Sequence, residues 1–338
     1  MFDLIYRFPE QLNEALNLSL KVIAERKDFF KRIKESDQIL VTGMGGSGIA
    51  GDIIFSLCYF LLKKPFLVIK DYQLPFFINN PSLSFVISYS GNTEETIFTY
   101  QQFKKINFPL IVITSGGILQ NLAQKNDDLL FLLPPNYPPR QALAYLIIPI
   151  LLTLSHLEII PDLKKAIKKT ITFLKAQRDK LNQIAKRNVK LLNQKIPYIL
   201  ASSYFYFPIA LRWKNQLNEN AKILAFCNYL PEQNHNEINA FPFLADFKNL
   251  LFIFLLKNPL THKRNLLRTK FLLNLAKKEK IPLKLVEPFK RDNFKNIFSL
   301  IMLGDFISYH LALKRKVDPL KIELIEDLKI FLNKRSGV

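Results

Sequence analysis

Two strand-turn-helix units in the first third of the chain constrain its fold more than any other feature. Gln38–Gly43 has the composition of a buried strand, and the glycine-rich segment Gly43–Gly48 follows it and opens a helix. Farther along, the apolar run Leu83–Ile87 leads into the hydroxyl-rich turn Ser88–Thr96 and then into the helix-like segment Ile97–Phe103. Apolar runs of strand length that stop at glycine and continue with helical spacing predict strands that feed helices through tight turns.

The turn after the second of these strands has the properties of an anion site. The first amides of a helix lack intrahelical partners and carry partial positive charge, so they can hold a phosphate. Ser88, Ser90 and Thr93 add hydroxyl donors, and Gly91 lets the backbone approach a ligand closely. The same residue types are common helix caps, so for this turn alone phosphate binding and capping are equally open.

The glycine-rich turn Gly43–Gly48 shifts this balance toward a ligand. In an open parallel sheet, two such turns can meet at the carboxyl edge of the strands, where ligands bind. No Lys-Ser/Thr pair follows the glycines, which excludes a Walker sequence. A dinucleotide site stays possible but is disfavoured, because the strand Phe66–Ile69 leads into Lys70-Asp71 and supplies no good acidic ribose partner.

Strand candidates alternate with helical stretches or short turns along most of the chain. The predicted strands are Ile39–Thr42, Phe66–Lys70, Leu83–Ser88, Leu110–Thr114, Leu129–Leu132, Pro197–Ala201, Leu250–Leu256 and Pro282–Val286. The predicted helices of the second half are Pro208–Lys222, His262–Lys278, Phe294–Lys314 and Lys321–Asn333. This alternation predicts an α/β fold with two doubly wound parallel-sheet domains in tandem. We expect the domains to be 1–156 and 157–338.

The formal net charge of +20 raises the question of a polyanionic partner. Lys and Arg are spread along the chain, and the densest region, Lys164 to Lys190, alternates them with apolar residues at helical spacing. This pattern predicts an amphipathic helix with a solvated basic face. No nucleic-acid motif accompanies the charge, so nucleic-acid binding is disfavoured. The charge can still help attract an anionic substrate.

The amino terminus and the apolar stretches indicate neither export nor a membrane span. Asp3, Arg7 and Glu10 interrupt the start of the chain before a signal core could form. The longest apolar stretch, Ala142 to Ser155, is shorter than the roughly 20 residues that cross a bilayer, so we expect a buried helix there. The two cysteines form no CxxC pair, and no His, Cys and carboxylate cluster has metal-ligand spacing. We therefore expect a cytoplasmic protein without metal, cofactor or membrane partner.

Several motifs resemble a known family. Gly43-Met-Gly-Gly-Ser-Gly48 followed by Ser88-Tyr-Ser-Gly-Asn-Thr-Glu-Glu-Thr96 resembles the sugar isomerase (SIS) domain. Later segments resemble, in the same order, the bifunctional phosphoglucose/phosphomannose isomerases: Pro138–Leu143, Asn218–Lys222, Pro231–Asn236 and Val317–Pro319. The resemblance covers nearly the whole chain. It implies flavodoxin-like SIS domains and a metal-independent aldose-ketose isomerase that interconverts glucose 6-phosphate, and mannose 6-phosphate, with fructose 6-phosphate through a cis-enediol. A homodimer with a shared active site is also implied.

The same resemblance assigns the site residues. Glu219 matches the base that moves one proton between C2 and C1, and His235 matches the histidine that assists ring opening and reaches the neighbouring subunit's site. Lys329 matches a lysine near the sugar ring oxygen, and Arg140 would stabilise the enediolate. The residues that would hold the phosphate are Gly46, Ser47, Ser88, Ser90 and Thr93. From the residues alone, Glu219 would be a solvated helix end and Lys329 an exposed lysine. Arg140, which follows the proline-rich segment Pro134–Pro139 and is expected at the start of a long helix, is either a surface residue or faces an anionic ligand pocket.

Two other functions are weighed against this one. A non-catalytic phosphosugar sensor would keep the serine turns and lose Glu219, His235 and Arg140, but all three are present and no helix-turn-helix is found. Another SIS enzyme, such as an aminosugar isomerase or a lyase, is the second alternative. The chain also departs from the family at three positions, Gln141, Lys316 and Ile322. Relatives that handle both epimers can have threonine at the position of Ile322, which puts the mannose activity in question.

Overall fold

The chain forms two compact units, each built on its own parallel sheet. The computed structural model describes residues 1–33, 36–78, 82–106, 108–192, 194–247, 249–290 and 292–333. The first unit comprises Leu4–Arg178 and Phe289–Ser299. The second unit comprises Met1–Asp3, Asp179–Pro288 and Leu300–Val338. The predicted boundary at residue 156 stays a prediction.

The first unit contains a five-stranded parallel sheet in the order β2-β1-β3-β4-β5. Its strands are β1 Gln38–Thr42, β2 Phe66–Ile69, β3 Ser82–Ile87, β4 Leu110–Thr114 and β5 Leu129–Leu132. Every residue of β3 and β4 is buried, which is why these strands read as unbroken apolar runs with few polar residues. The strand order reverses between β1 and β3, and such a reversal places a crevice at the carboxyl ends of the two strands.

The helices of the first half alternate with these strands. Their bounds are α1 Phe2–Tyr6, α2 Phe8–Glu25, α3 Lys27–Lys31, α4 Gly45–Cys58, α5 Glu94–Lys105, α6 Gly117–Lys125, α7 Leu143–His156 and α8 Lys164–Leu191. The apolar stretch that was expected to be a buried helix is α7, in which Leu143 to Leu154 are all buried. The basic segment 164–190 falls in α8, as its spacing predicts.

The second unit contains a four-stranded parallel sheet in the order β7-β6-β8-β9. Its elements are β6 Ile196–Ala201, α9 Phe207–Ala221, β7 Phe226–Tyr229, β8 Leu251–Leu256, α10 Lys263–Lys278, β9 Leu283–Val286, α11 Asn293–Lys314 and α12 Glu323–Asn333. The order again reverses beside the first strand, here between β6 and β8. Both sheets therefore have the doubly wound arrangement that the alternation of strands and helices predicts.

Helix α11 is the one helix among the described residues with the length and apolar content of a membrane span, and 83% of its most apolar window is buried inside the protein. Burial of this kind is typical of the core helix of a folded domain. Ile297, Ile301 and Phe306 are among its fully buried side chains.

Two local features differ from the sequence-based expectation. Strand β7 was not predicted, because the short segment Phe226–Tyr229 is only half-buried and carries Asn228, so it lacks the apolar run of the other strands. Arg140 was expected at the start of a long helix. It lies instead in the 3-10 turn Pro139–Gln141 that precedes α7, where the Gln141 and Ala142 amides donate to the Pro138 and Pro139 carbonyls.

Candidate functional site

The turns after β1 and β3 meet at the carboxyl edge of the first sheet. Strands β1 and β3 are direct neighbours, with Thr42 opposite Val86. The Tyr89 amide donates a hydrogen bond to Ser47 Oγ at 3.2 Å, which joins the turn after β3 to the first turn of α4. Ser47 and Ser88 are therefore brought together, as the two-turn pattern predicts.

The hydroxyl groups of the β3 turn bond to the turn itself. Ser88 Oγ lies 2.8 Å from Thr93 Oγ1 and accepts the Gly91 amide at 3.1 Å. Ser90 Oγ accepts the Asn92 amide at 3.3 Å. Thr93 occupies the N-cap position of α5 without a capping side-chain bond. Capping is thus not what the Thr93 hydroxyl does here, and these hydroxyls line a turn that runs from buried Ser88 to exposed Ser90.

A third turn, Thr114–Gly117 after β4, packs against the β3 turn. The Ser115 amide donates to the Tyr89 carbonyl at 2.9 Å, and the Ile118 amide donates to Asn92 Oδ1 at 3.0 Å. Gly117 has a φ of +72°, and a Cβ there would lie 2.6 Å from Asn92 Oδ1 and from the Ser90 carbonyl oxygen. Only glycine fits this position, because both the backbone conformation and the space forbid a side chain.

Arg140 reaches the same edge of the sheet. A Cβ on Gly46 would lie 3.1 Å from the Pro139 carbonyl carbon and 3.2 Å from Arg140 Cα. The 3-10 turn that carries Arg140 therefore packs on the N-terminus of α4, where Gly45 and Gly46 hold the first helical positions. Arg140 is 4% exposed, so it is a buried residue and not a surface residue. A buried cation beside a glycine-rich helix start makes the edge electropositive.

Gln141 is the buried polar neighbour of Arg140. It is 3% exposed, and its Nε2 has no hydrogen-bond partner among the described residues. A buried amide without a partner is costly in a folded protein and needs an explanation, such as a ligand or a water molecule. The sequence indicated this residue only as a departure from the family pattern.

An ion pair flanks the other side of the α4 N-terminus. Lys70, which directly follows β2, forms an ion pair with Asp52 in the second turn of α4. Burial raises the pKa of the Asp52 carboxyl, and the charge of Lys70 opposes this shift. A Cβ on Gly48 would lie 3.2 Å from Lys70 Cε, so this lysine also packs close to the glycine-rich turn. The ion pair thus lies close to the helix start, with the charge of Lys70 balanced by that of Asp52.

Glu219 belongs to the second unit and lies near the C-terminus of α9. Its side chain is half-buried, and its backbone carbonyl accepts a hydrogen bond from Lys222 Nζ. The helix ends at Ala221 and is followed by the C-cap residue Lys222, which has a left-handed conformation with φ 53° and ψ 40°. Asn218 Oδ1 accepts the Ala225 amide at 3.1 Å and so fixes the segment that leaves the helix.

His235 is exposed and ends a 3-10 turn, Glu232–His235. The segment around it is held by polar bonds to the rest of the second unit. Arg268 Nη1 donates to Asn234 Oδ1 at 3.3 Å, and the Glu237 carboxylate accepts from Asn228 Nδ2 at 2.6 Å and from the Tyr198 hydroxyl. The imidazole thus stands on an anchored loop with its ring open to solvent.

Lys329 lies on α12 and is exposed. The same helix exposes a set of large apolar side chains, namely Leu324, Ile325, Leu328, Ile330, Phe331 and Leu332. Leu324 is 84% exposed, which is unusual for leucine in a folded protein. The helix therefore exposes an apolar surface among the described residues.

Metal and thiol chemistry have no evident centre in the described part of the chain. No group of three or more His, Cys, Asp or Glu side chains is placed to hold a metal among the described residues. Burial raises the pKa of the Cys58 thiol to about 12 and that of the Cys227 thiol to about 11. Both thiols stay protonated near neutral pH, so neither has the character of a nucleophile.

Comparison with known proteins identifies relatives along the whole chain. Residues 181–332 match the bacterial phospho-glucose isomerase C-terminal SIS domain. A bifunctional phosphoglucose/phosphomannose isomerase of Caldicellulosiruptor bescii is 33% identical over 97% of this chain and 98% of its own length. That of Thermoplasma volcanium is 35% identical over 94% of this chain and 98% of its own. A D-glucosamine-6-phosphate 4-epimerase of Sulfolobus acidocaldarius is 31% identical over 62% of this chain and 65% of its own.

Solved structures with low identity share the fold. The C-terminal domain of glucosamine-fructose-6-phosphate aminotransferase from Francisella tularensis superposes with a TM-score of 0.73 at 18% identity, covering 94% of this chain and 96% of that one. Tagatose-6-phosphate ketose/aldose isomerase from Escherichia coli also gives 0.73, at 14% identity and with coverage of 94% and 93%. The sequence identity over nearly full length is the stronger finding: the chain belongs to the bifunctional phosphoglucose/phosphomannose isomerase family and has its tandem SIS fold.

Proposed function

We propose that this protein is a phosphosugar isomerase that interconverts glucose 6-phosphate, and mannose 6-phosphate, with fructose 6-phosphate. The observation that carries the proposal is family membership at 33% identity over 97% of the chain. The joined turns at the edge of the first sheet are a suitable phosphate site, because they combine a glycine-rich helix start with four hydroxyl groups. Gly46, Ser47, Ser88, Ser90 and Thr93 would hold the phosphoryl group there.

Glu219 and Arg140 would carry out the chemistry. Glu219 would move the proton, and Arg140 would stabilise the negative charge that develops on the sugar. Aldose-ketose isomerisation needs a base that removes the proton from C2 and returns it to C1 of a cis-enediol. Glu219 would be that base. In typical enzymes a general base accelerates the reaction by a factor of roughly 10²–10⁴. Arg140 would stabilise the negative charge of the enediolate, and its burial strengthens that interaction by excluding water.

Two further residues would open the sugar ring and steady it. His235 would transfer a proton to or from the ring oxygen and the C1 hydroxyl, and Lys329 would lie near the ring oxygen. For the mannose reaction Glu219 must reach the C2 proton of the other epimer, which requires rotation about C2–C3 in the same pocket. Ile322, where relatives can have threonine, makes the ratio of the two activities a property to measure.

We further propose that the enzyme acts as a cytoplasmic homodimer in the interconversion steps of glycolysis and gluconeogenesis. His235 is exposed in the single chain, and so is the apolar surface of α12. A second copy that covered α12 would remove that surface from water, at roughly 25 cal/mol for each Å² of apolar area. The isomerisation needs neither metal nor nucleic acid.

A second candidate activity comes from the epimerase relative, which is 31% identical over 62% of this chain. An enzyme of that kind would act on an aminosugar phosphate and leave the aldehyde carbon unchanged. The same phosphate site would serve it. The two activities therefore differ in substrate and product, and a direct assay separates them.

The experiment is an assay of the purified protein with the 6-phosphates of glucose, mannose and glucosamine, in which the formation of fructose 6-phosphate is coupled to a reporter reaction. We expect turnover of glucose 6-phosphate, and of mannose 6-phosphate, and loss of both in Glu219→Gln. A protein that leaves both hexose phosphates unchanged and epimerises glucosamine 6-phosphate would overturn the proposal. If Glu219→Gln turned over the hexose 6-phosphates as fast as wild type, the isomerase activity would stand but Glu219 would not be its base.

A further inference from the structure

Tyr89 lies in the turn Ser88–Thr96, which is called the phosphate turn below. Its side chain is buried and bonds to a different loop from the hydroxyls of Ser88, Ser90 and Thr93. It is 5% exposed, and its hydroxyl donates to the Pro134 carbonyl at 2.7 Å and accepts the Tyr137 amide at 2.9 Å. These two bonds reach the loop that follows β5 and leads to Arg140. Burial raises the pKa of the Tyr89 hydroxyl, so it remains a protonated donor at neutral pH.

The backbone of the same residue is bonded to the two neighbouring turns. Its amide donates to Ser47 Oγ at 3.2 Å, after β1. Its carbonyl accepts the Ser115 amide at 2.9 Å and the Ser115 hydroxyl at 2.6 Å, after β4. Tyr89 thus joins the turns after β1, β3 and β4 to the loop after β5.

The loop that Tyr89 holds sets the position of Arg140. Tyr137 is anchored at its ring as well, because its hydroxyl lies 3.3 Å from that of Tyr145 and the two rings meet edge to face. Two residues after Tyr137, Pro139 packs on Gly46 at the start of α4. The segment between these anchors is short and rich in proline, so a shift at the Tyr89 end is transmitted to Arg140.

We propose that the Tyr89 hydroxyl is a positioning residue that fixes Arg140 relative to the phosphate turn, an inference that rests on the proposed role of Arg140. Tyr89 does not touch the substrate in this scheme. Its hydroxyl couples the place where the phosphate binds to the place where charge develops. Preorganised cations of this kind act mainly on the transition state, because they need no rearrangement when the charge appears.

The test compares Tyr89→Phe with Tyr100→Phe, a matched control in the same unit. Tyr100 is also buried, and its hydroxyl donates to Asp128 Oδ2 at 2.7 Å and to the Leu122 carbonyl at 3.0 Å. Both changes remove one buried hydroxyl and no other atom. We expect Tyr89→Phe to lower kcat for glucose 6-phosphate about tenfold, with KM and the inhibition constant of inorganic phosphate within about twofold of wild type. Tyr100→Phe should change none of the three.

A double-mutant cycle with Arg140→Lys shows whether the effect passes through Arg140. If it does, Tyr89→Phe lowers kcat much less in the Arg140→Lys background than in wild type. Full additivity of the two changes contradicts the inference, as does a kcat of Tyr89→Phe equal to that of Tyr100→Phe. The activity of the wild-type enzyme is established first, so a failure of the proposed function is seen before any variant is measured.

A measurement on the wild-type protein covers the case in which Tyr89→Phe does not fold. Hydrogen exchange of the Tyr137 amide is followed with inorganic phosphate and with 5-phosphoarabinonate, whose carboxylate mimics the charge of the enediolate. We expect the arabinonate to slow the exchange at least threefold more than phosphate does, because it engages Arg140 and tightens the loop. Equal protection by the two ligands overturns the inference.

Discussion

The two sheets of this protein use the same bond at their switch points and differ in what surrounds it. In the first unit Ser47 Oγ accepts the Tyr89 amide from the turn after the neighbouring strand, at 3.2 Å. In the second unit Ser202 Oγ accepts the Asn258 amide in the equivalent place, at 2.7 Å. A serine that follows the first strand of each sheet, β1 or β6, thus ties two turns together in each unit.

Glycine is the difference between the two switch points. The first turn of α4 contains three glycines, whereas the sequence from 179 to 288 contains none. Helix α9 has a proline in its first turn, which removes an amide donor from the place where an anion would bind. Ser203 Oγ accepts a hydrogen bond from Asn258 Nδ2 at 2.9 Å. The first switch point therefore has a glycine-rich helix start of the kind that favours anion binding, and the second has none.

The largest effect is expected from Glu219→Gln, which tests whether the two units have different roles in the reaction. If the first unit binds the phosphate and the second supplies the base, kcat for glucose 6-phosphate should fall by about 10²–10⁴. The inhibition constant of inorganic phosphate should stay within about twofold, because the binding turn is untouched. Steady-state kinetics measure both. Glu287→Gln, an exposed Glu of the same unit paired with Lys257, is the control and should retain wild-type kinetics.

Removing one serine hydroxyl from each switch point tests whether only the first of them binds phosphate. Ser88→Ala should weaken the binding of inorganic phosphate about tenfold, since a hydrogen bond to a charged group contributes roughly 1.5–3 kcal/mol. Ser203→Ala, at the switch point of the second unit, should leave it unchanged. Isothermal titration gives both dissociation constants and should give one phosphate per wild-type chain. Two phosphates per chain, or equal losses in the two variants, would contradict the difference between the turns.

A smaller effect is expected from the apolar surface of α12. If a second copy covers this helix, Leu324→Lys should shift the protein toward monomer and lower its specific activity several-fold at nanomolar concentration. The cause is the burial of a charge in an apolar interface. Leu267→Lys on α10, where the leucine is 57% exposed, is the control. Light scattering and activity against dilution measure the outcome, and an unchanged dissociation midpoint for Leu324→Lys would count against the dimer.

The smallest effect concerns His310, a half-buried histidine of the second unit that contrasts with exposed His235. Burial, assisted by Lys186, lowers the pKa of His310 to about 4, and its Nε2 lies 2.6 Å from Asn182 Oδ1. The unfolded value is about 6.5, so the unfolded chain binds the extra proton first and stability falls as the pH drops from 6.5 toward 4. Because the ring is partly solvated, the loss should be only about 1 kcal/mol.

Thermal unfolding at pH 7 and pH 5 measures this effect. The melting temperature of wild type should drop by about 2–4 °C more than that of His310→Gln over this range. The variant has no imidazole to titrate at this position. A drop of equal size in the two proteins would show that other groups carry the acid sensitivity.

Most of the fold could be predicted from the sequence, because its signals are local. Among the described residues, eight of the nine strands were predicted from apolar runs of strand length. Strand β7 was missed, since the short segment Phe226–Tyr229 pairs at a sheet edge and is only half-buried. An edge strand needs fewer apolar residues, so its pattern is weak.

The site was predictable where its residues carry a motif and not where they act through distant contacts. Ser47 and Ser88 were expected at one edge of one sheet, and the hydrogen bond from the Tyr89 amide to Ser47 joins their turns. The role of the Tyr89 ring depends on a loop that begins at Pro134, far along the chain, and no local pattern encodes that contact. The exposure of His235 likewise follows from packing that a single sequence does not specify.

The central claim is that a phosphate held at the first switch point lets Glu219 move one proton between adjacent carbons. The most direct measurement uses glucose 6-phosphate labelled with deuterium at C2 and follows the label by NMR. The account predicts that part of the deuterium appears at C1 of fructose 6-phosphate, that the rest is lost to water, and that Glu219→Gln stops both. Deuterium that remains at C2 with the wild-type enzyme, or that moves equally well in the variant, would contradict it.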